Sequence, residues 1–359
     1  MANRETKRIA IIGGGFYGCY LAYKLLEEKK FNLIIDIFEK NRDLLQEAGS
    51  NNQWRLHLGY HYPRSKKTIE QCVIGANKFT NDFKKYISYP KYNLYIIHKK
   101  SKTSFDQFVK IFKNFKLKFK KFDIKTLKVL KNIDQYSGAL NTEEGVIKFD
   151  KLNPFLKKKI KSKCKVYLNT KIKKIINSDS KILDCKNNKY GSYDFIMNCT
   201  YINPNLSNNN NKFPIKYELA GMVEIKNVIK KNIALTIMDG NYVSIYPRKQ
   251  NTVSLSSVKF TPIKKFTNIS NIDKLKKIVT KNKNKYINKI LNDLNKYFHM
   301  NIKKKKKNLI VTTKVKIKND FFDQRITLLK KNKNVFHILC GKIDAAPIIY
   351  DKIKKSLKL

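Results

Sequence analysis

Gly13, Gly15 and Gly18 form a Gly-x-Gly-x-x-Gly run that can wrap a pyrophosphate, and Glu39 follows at the end of the next strand-like stretch. In this pattern Gly13 permits a tight turn, Gly15 leaves room for the phosphates, and Gly18 lets a helix pack close to a strand. The phosphate oxygens then meet unpaired N–H groups and the positive end of a helix, whose dipole alone contributes about 0.3–2 kcal/mol. Glu39 is placed to accept hydrogen bonds from adenosine ribose hydroxyls, and an acid there argues against a 2′-phosphate. Phe16 and Tyr17 inside the run, and Lys40 beside Glu39, belong to the same expected contact set. The competing reading is a tight turn in an α/β protein that holds no nucleotide. The unit leaves open which dinucleotide it binds.

Histidines and arginines supply the other candidates. His57 and His61 lie in Gly49–Ser65, a segment dense in polar, aromatic and glycine residues. In an extended stretch positions 57, 59 and 61 share one face, so either imidazole could serve as a general base. The plain alternative for each is a structural histidine. Arginines are few among many lysines, and a forked guanidinium suits bidentate binding of a carboxylate or phosphate. Arg325, in Asp323-Gln-Arg325, is the first candidate for such a clamp, with Arg248 and Arg55 behind it; a surface ion pair is the alternative for each.

These residues need elements to hold them. Arg8–Ile12 reads as a buried parallel strand, Phe16 to about Lys29 as a helix, and Phe31–Phe38 as a second strand. Further on, Tyr92–His98 is strand-like, and Ser104 to about Lys118 is helical with an aromatic core stripe. Tyr217–Ile225, Ile233–Met238, Asn241–Pro247 and Thr252–Val258 read as strands, with a turn at Asp239-Gly240. Alternation puts Tyr242, Ser244 and Tyr246 on one face of the hairpin, where the tyrosines would roof an active site or simply meet solvent. Asn271–His299 is a pair of helical stretches, and Lys303–Lys307 reads as an exposed loop before the strand Leu309–Ile317.

Here the residues become specific to a family. Gly49–Ser65 resembles the D-amino-acid oxidase family of FAD-dependent oxidoreductases, with the nearest likeness to L-2-hydroxyglutarate dehydrogenase-like members. The matching positions are Ser50, Asn51 or Asn52, His57, Gly59, Tyr60, Tyr62 and Pro63, and the match departs at Gln53-Trp54-Arg55. Glu143–Ile147 followed by Leu152 resembles the family's return to its FAD domain. Lys165–Ile172 resembles the strand whose backbone touches adenine, which places Ile172 there. Tyr193–Thr200 resembles a strand ending in Ala-Thr-Gly, with Cys199-Thr200-Tyr201 in its place. Val335–Asp344 resembles the strand and glycine beside the flavin ring. The resemblance implies FAD as cofactor, with contacts from Ser50, Asn51, Asn52, Arg55, His57, Ile172, Thr200, Gly341, Lys342 and Ile343. The catalytic set becomes His57, His61 and Arg325, with Tyr242 and Tyr246 as the roof.

The expected architecture is α/β: a Rossmann-type FAD-binding domain and a discontinuous α+β substrate domain on a mostly antiparallel sheet. FAD-domain pieces fall at 1–75, 145–202 and 320–359, and substrate-domain pieces at 76–144 and 203–319. With 42% apolar residues, 21 Phe and 20 Tyr, the chain can build both cores. Its net charge of +50 points either to a polyanionic partner or to a compositional drift toward Lys, Asn and Ile. The even spread of lysine favours drift, so no specific nucleic acid is expected. Six cysteines lack Cys-x-x-Cys or metal-type spacing, no metal is expected, and no apolar run is long enough to span a membrane. A cytoplasmic protein follows as the expectation. Functionally, the expected reaction is hydride transfer to flavin from a C–OH or C–NH bond of a small hydroxy acid, amino acid or sugar-like substrate, anionic ones included. Alternatives are a nucleotide-sugar mutase-like flavoenzyme, an RNA-associated flavoprotein and a nicotinamide-only dehydrogenase, the last disfavoured by the segments at 49–65 and 335–344.

Overall fold

The computed structural model describes residues 4–176, 179–208, 210–226, 232–270, 272–300, 302, 305–318 and 324–359. Strand β1 (Thr6–Ile12) enters the turn at Gly13, helix α1 (Phe16–Leu25) leaves it, and strand β2 (Asn32–Phe38) delivers Glu39. These belong to a six-stranded sheet ordered Leu328–Asn332, Val335–Leu339, Phe195–Asn198, β1, β2, Lys165–Tyr167; only the Leu328–Asn332 edge is antiparallel. Both faces of β1 are covered. Ile9 and Ile11 pack into the same core as α1, while Ala10 and Ile12 pack with Ile175 and Ile182 of a small three-stranded sheet. That is why β1 reads as an unbroken apolar run rather than an alternating one. β1 and Phe195–Asn198 are neighbours far apart in sequence, so a crevice opens beyond their C-terminal ends, where Gly13 sits.

α1 stops short of Lys29. Residues 27–30 are Glu-Glu-Lys-Lys, and the Glu27 and Glu28 N–H groups donate back to the Lys24 and Leu25 carbonyls in a tighter turn.

The second layer is a nine-stranded sheet, antiparallel except where Ile233–Met238 runs parallel to Tyr92–His98. Alternation divides its side chains between two cores. Leu94 and Ile96 face helix Lys283–Tyr297 through Ile287, Ile290 and Leu294; Tyr95 and Ile97 face helix Phe105–Asn114 through Phe108 and Phe112. The aromatic stripe at 105–115 is therefore core at Phe108 and Phe112, both fully buried. Ile233–Met238, Val243–Pro247 and Thr252–Ser257 form the expected meander and continue onto Ile215–Lys226. A short sheet of Arg55–Leu56, Gly145–Ile147 and Ile87–Ser88 lies between the two layers in sequence and carries the chain to the site. The boundary expected at 319/320, residue Asp323 and part of the Lys303–Lys307 run lie outside the described residues. Among the described residues no helix is long and apolar enough to cross a membrane, and no cluster of His, Cys, Asp and Glu could hold a metal ion.

Candidate active site

The three motif glycines have different reasons to be glycine. A Cβ at Gly18 would lie 2.0 Å from the Gly13 carbonyl oxygen, and one at Gly13, where φ is +104°, would lie 2.7 Å from the Cys199 carbonyl oxygen. Packing within the protein demands both. A Cβ at Gly15 would meet nothing within 4 Å. The protein itself leaves that space open, at the N-cap of α1, where no side chain caps the helix and no acid occupies its first turn. A pyrophosphate satisfies all three features.

Glu39 is buried, and its carboxylate accepts N–H bonds from Gly14 and Asn41, each 2.8 Å long. Burial raises its pKa, and the two backbone donors work against that rise. Its remaining lone pairs stay available for ribose hydroxyls. Lys40 lies 3.8 Å from Glu47. Thr200 donates to the Asn203 carbonyl and the Asn198 side chain, and Ile172 packs under Phe38 in a core. Phe16 and Tyr17 are both buried. Phe16 is a core ring against Phe79 and Phe149, whereas the Tyr17 hydroxyl reaches Thr327 and the Lys342 carbonyl.

Gly49–Ser65 folds as a loop that locks itself. Asn52 caps the Trp54 N–H and donates to the Ala48 and Gly49 carbonyls; Ser50 donates to Leu45 and accepts from Asn153; the Trp54 indole donates to Ser50. The Asn51 side chain donates to the Gln46 carbonyl. Arg248 also donates to the Ser50 carbonyl, stacks 4.5 Å over Trp54 and pairs with Glu224. Gln53, where the sequence departs from the family pattern, reaches across to Ser244 and Ser256 on the large sheet.

Arg55 points inward. Its guanidinium donates to Tyr95 (2.6 Å) and Thr236 (2.9 Å), lies 3.4 Å from Glu144 and stacks 4.1 Å from the Tyr246 ring centre. Tyr95 donates to Glu144, and Tyr246 donates to the Gly145 carbonyl and accepts from Asn93. The whole cluster is buried.

Next to this cluster stand the titratable groups. Lys342 Nζ is 3.0 Å from His57 Nε2 and bonds the Tyr62 hydroxyl. Glu144 Oε1 lies 3.7 Å from His57 Nδ1 and accepts the Leu58 N–H at 2.9 Å. His61 lies 6.0 Å from His57, ring centre to ring centre. Burial, with Lys342 and Arg55 adding to it, pushes the His57 pKa well below the usual 6.5; His61 shifts the same way, from burial and then Arg55. Both shifts favour the neutral imidazole. Asp344 is 1% exposed, and neither carboxylate oxygen has a hydrogen-bond partner among the described residues. Burial raises its pKa to about 7, against the pull of Lys342; burial lowers Lys342 to about 7, against the pull of Asp344. A cleft of about 160 Å³ beside His61 is lined by Tyr62, Arg64, Lys102, Asp239 and Asn241.

Gly341 is held at this spot by packing, since a Cβ there would lie 2.1 Å from the Arg325 carbonyl oxygen. Thr327 Oγ accepts the Gly341 N–H, and a single turn from Ile343 leads into helix Ala346–Leu357. The backbone of Arg325 thus packs against Gly341, and its charge acts on Tyr201 and Glu218. Tyr246 joins the site. Tyr242 does not: it precedes its strand, in the turn, and its ring stacks 4.8 Å from His98 and against Tyr297 in the opposite core. Arg55 and Arg248 are likewise committed to carboxylates, so neither is an open clamp. Glu144, Tyr95 and Asp344 were not singled out from the sequence. Tyr95 is a phenol in an apolar run, as many core residues are, and Glu144 and Asp344 stand beside polar neighbours with no local mark of burial.

Residues 8–312 match the family described as DAO, FAD dependent oxidoreductase. The chain belongs to that family. FAD-dependent monooxygenase FPY4 of Fusarium mangiferae is 27% identical over 263 residues, covering 72% of this chain and 66% of that protein. This chain therefore spans just under two thirds of that relative. Mitochondrial L-2-hydroxyglutarate dehydrogenase of Caenorhabditis briggsae is 35% identical over 69 residues, 19% of this chain and 16% of that one. Among solved structures, L-alpha-glycerophosphate oxidase of Mycoplasma pneumoniae, with FAD bound, superimposes with a TM-score of 0.69 at 17% identity, covering 99% of this chain and 95% of that one. That likeness shows the fold. The family's cofactor is FAD, and the open space at Gly15, the uncapped α1 and the fixed Glu39 fit it.

Proposed function

We propose that this flavoenzyme oxidises a C–OH or C–NH bond of a small substrate, with His57 as the proton acceptor. The observation that carries the reading is the buried His57 imidazole, 3.0 Å from Lys342 Nζ and packed against the Tyr62 ring, which with His61 lines the 160 Å³ cleft. Gly13–Gly18 and Glu39 would hold the pyrophosphate and ribose of FAD, and the Gly341–Ile343 backbone would lie toward its ring. FAD bound there supplies the two-electron acceptor for the hydride that leaves the substrate carbon. His57 Nε2 takes the proton from the substrate hydroxyl or amine as the carbonyl or imine forms. Lys342 orients an oxygen or carboxylate of the substrate, and Tyr246 with Arg55 walls the site from water.

Anaerobic mixing with 2-hydroxy acids, amino acids and glycerol 3-phosphate tests this. One of these classes should bleach the bound flavin's visible absorbance. If none does, and the flavin is reduced only by a nicotinamide donor, the monooxygenase chemistry in the name of FPY4 is the better reading; oxygen uptake without matching peroxide release would then identify it.

A further inference from the structure

Glu144 is fully buried, and one of its oxygens faces His57. His57 Nδ1 is itself buried and has no hydrogen-bond partner among the described residues; Glu144 Oε1 is an acceptor 3.7 Å away. A buried ring nitrogen left bare is unfavourable, so a small ring rotation toward the carboxylate is favoured. The other nitrogen meets the opposite chemistry. Lys342 Nζ presents N–H donors to Nε2 at 3.0 Å, while a carboxylate only accepts. With Lys342 as the donor, one arrangement satisfies both neighbours: the proton on Nδ1, and the lone pair on Nε2.

The carboxylate cannot swing away. Tyr95 donates to its second oxygen at 2.6 Å, Arg55 stands 3.4 Å from that same oxygen, and the Leu58 N–H holds the first. Leu58 follows His57 directly, so one carboxylate fixes both the backbone beside the imidazole and the proton on it.

We infer that Glu144 is the positioning residue of His57: it holds the Nδ1–H tautomer and so leaves Nε2 as the proton-accepting atom on the Lys342 side. The proposal deepens the reading of His57 as base and rests on it for its catalytic meaning. The Glu144 oxygens are held by Tyr95, Arg55 and the Leu58 N–H, so its part in the proposal is exerted through His57.

The experiment is long-range 1H–15N correlation spectroscopy of the histidine-labelled, FAD-loaded protein, with the five histidines assigned by single substitution. His57 should carry its proton on Nδ1 and none on Nε2. A proton found on Nε2, alone or together with Nδ1, overturns the proposal. Glu144→Gln should move the proton to Nε2 or share it between the two nitrogens, and Glu144→Asp should keep it largely on Nδ1. An unchanged His57 signal in a folded Glu144→Gln protein also overturns the proposal. Should that variant fail to fold, the native spectrum alone decides. A His57→Ala enzyme that reduces its flavin at the native rate would defeat the base assignment and leave the tautomer result standing, so the two failures are distinct.

Discussion

The Arg55 guanidinium lies 3.4 Å from the Glu144 carboxylate, with 2% and 0% of their side chains exposed. Two buried charges cost several kcal/mol each to desolvate, and their attraction offsets this only when further hydrogen bonds complete the cluster. Tyr95 and Thr236 do so here. Arg55→Met should therefore destabilise the protein by about 3–5 kcal/mol, because Glu144 stays buried without its partner. Urea unfolding measures this. A loss below about 1 kcal/mol would mean the cluster is solvated in solution.

The glycines separate cofactor binding from folding. Gly15→Val should leave the melting temperature of the FAD-free protein near the native value while FAD binding is lost, because the new side chain enters open space reserved for the pyrophosphate. Gly18→Val should instead lower stability, since its Cβ collides with the Gly13 carbonyl. Thermal melts beside FAD titrations distinguish the two. Retained FAD affinity in Gly15→Val would remove the pyrophosphate from this turn.

His57→Ala should slow flavin reduction by about 10²–10⁴-fold with FAD still bound. Stopped-flow absorbance follows the reduction, and bound flavin is counted in the same sample. A change under threefold would assign the proton to another group, with His61 the nearest candidate.

Asp344 gives the protein a pH signature. Its carboxyl titrates near 7 in the fold against 3.8 when free, so between those values the folded chain keeps a proton that the unfolded chain has released. Stability from this group is full below about pH 4 and falls as pH rises to 7. Lys342, lowered from 10.5 to about 7, has the reverse slope above pH 7. Asp344→Asn should therefore match the native protein near pH 4 and exceed it in stability at pH 7. Urea midpoints at the two pH values report it, and a gap independent of pH would contradict the assignment.

Legibility in the sequence followed the range of each interaction. The β1–α1–β2 unit was readable because strand, turn, helix and acid lie within forty residues and each constrains the next. The meander at 233–257 was readable from alternation. Tyr242 misled because alternation was extended one residue past the strand, into a turn whose ring falls to the other face. Arg55 was read as a cofactor or anion contact because its partner Glu144 lies 89 residues away. No local pattern announces such a pairing. Lys342 was expected only for its backbone; its side chain gained meaning once the fold brought it against His57, 285 residues distant.

The visible absorbance spectrum of the purified protein tests the central claim most directly. The account predicts a yellow protein with a flavin spectrum that releases FAD, rather than FMN or NAD, on denaturation. A colourless protein that stays colourless after incubation with FAD would contradict it.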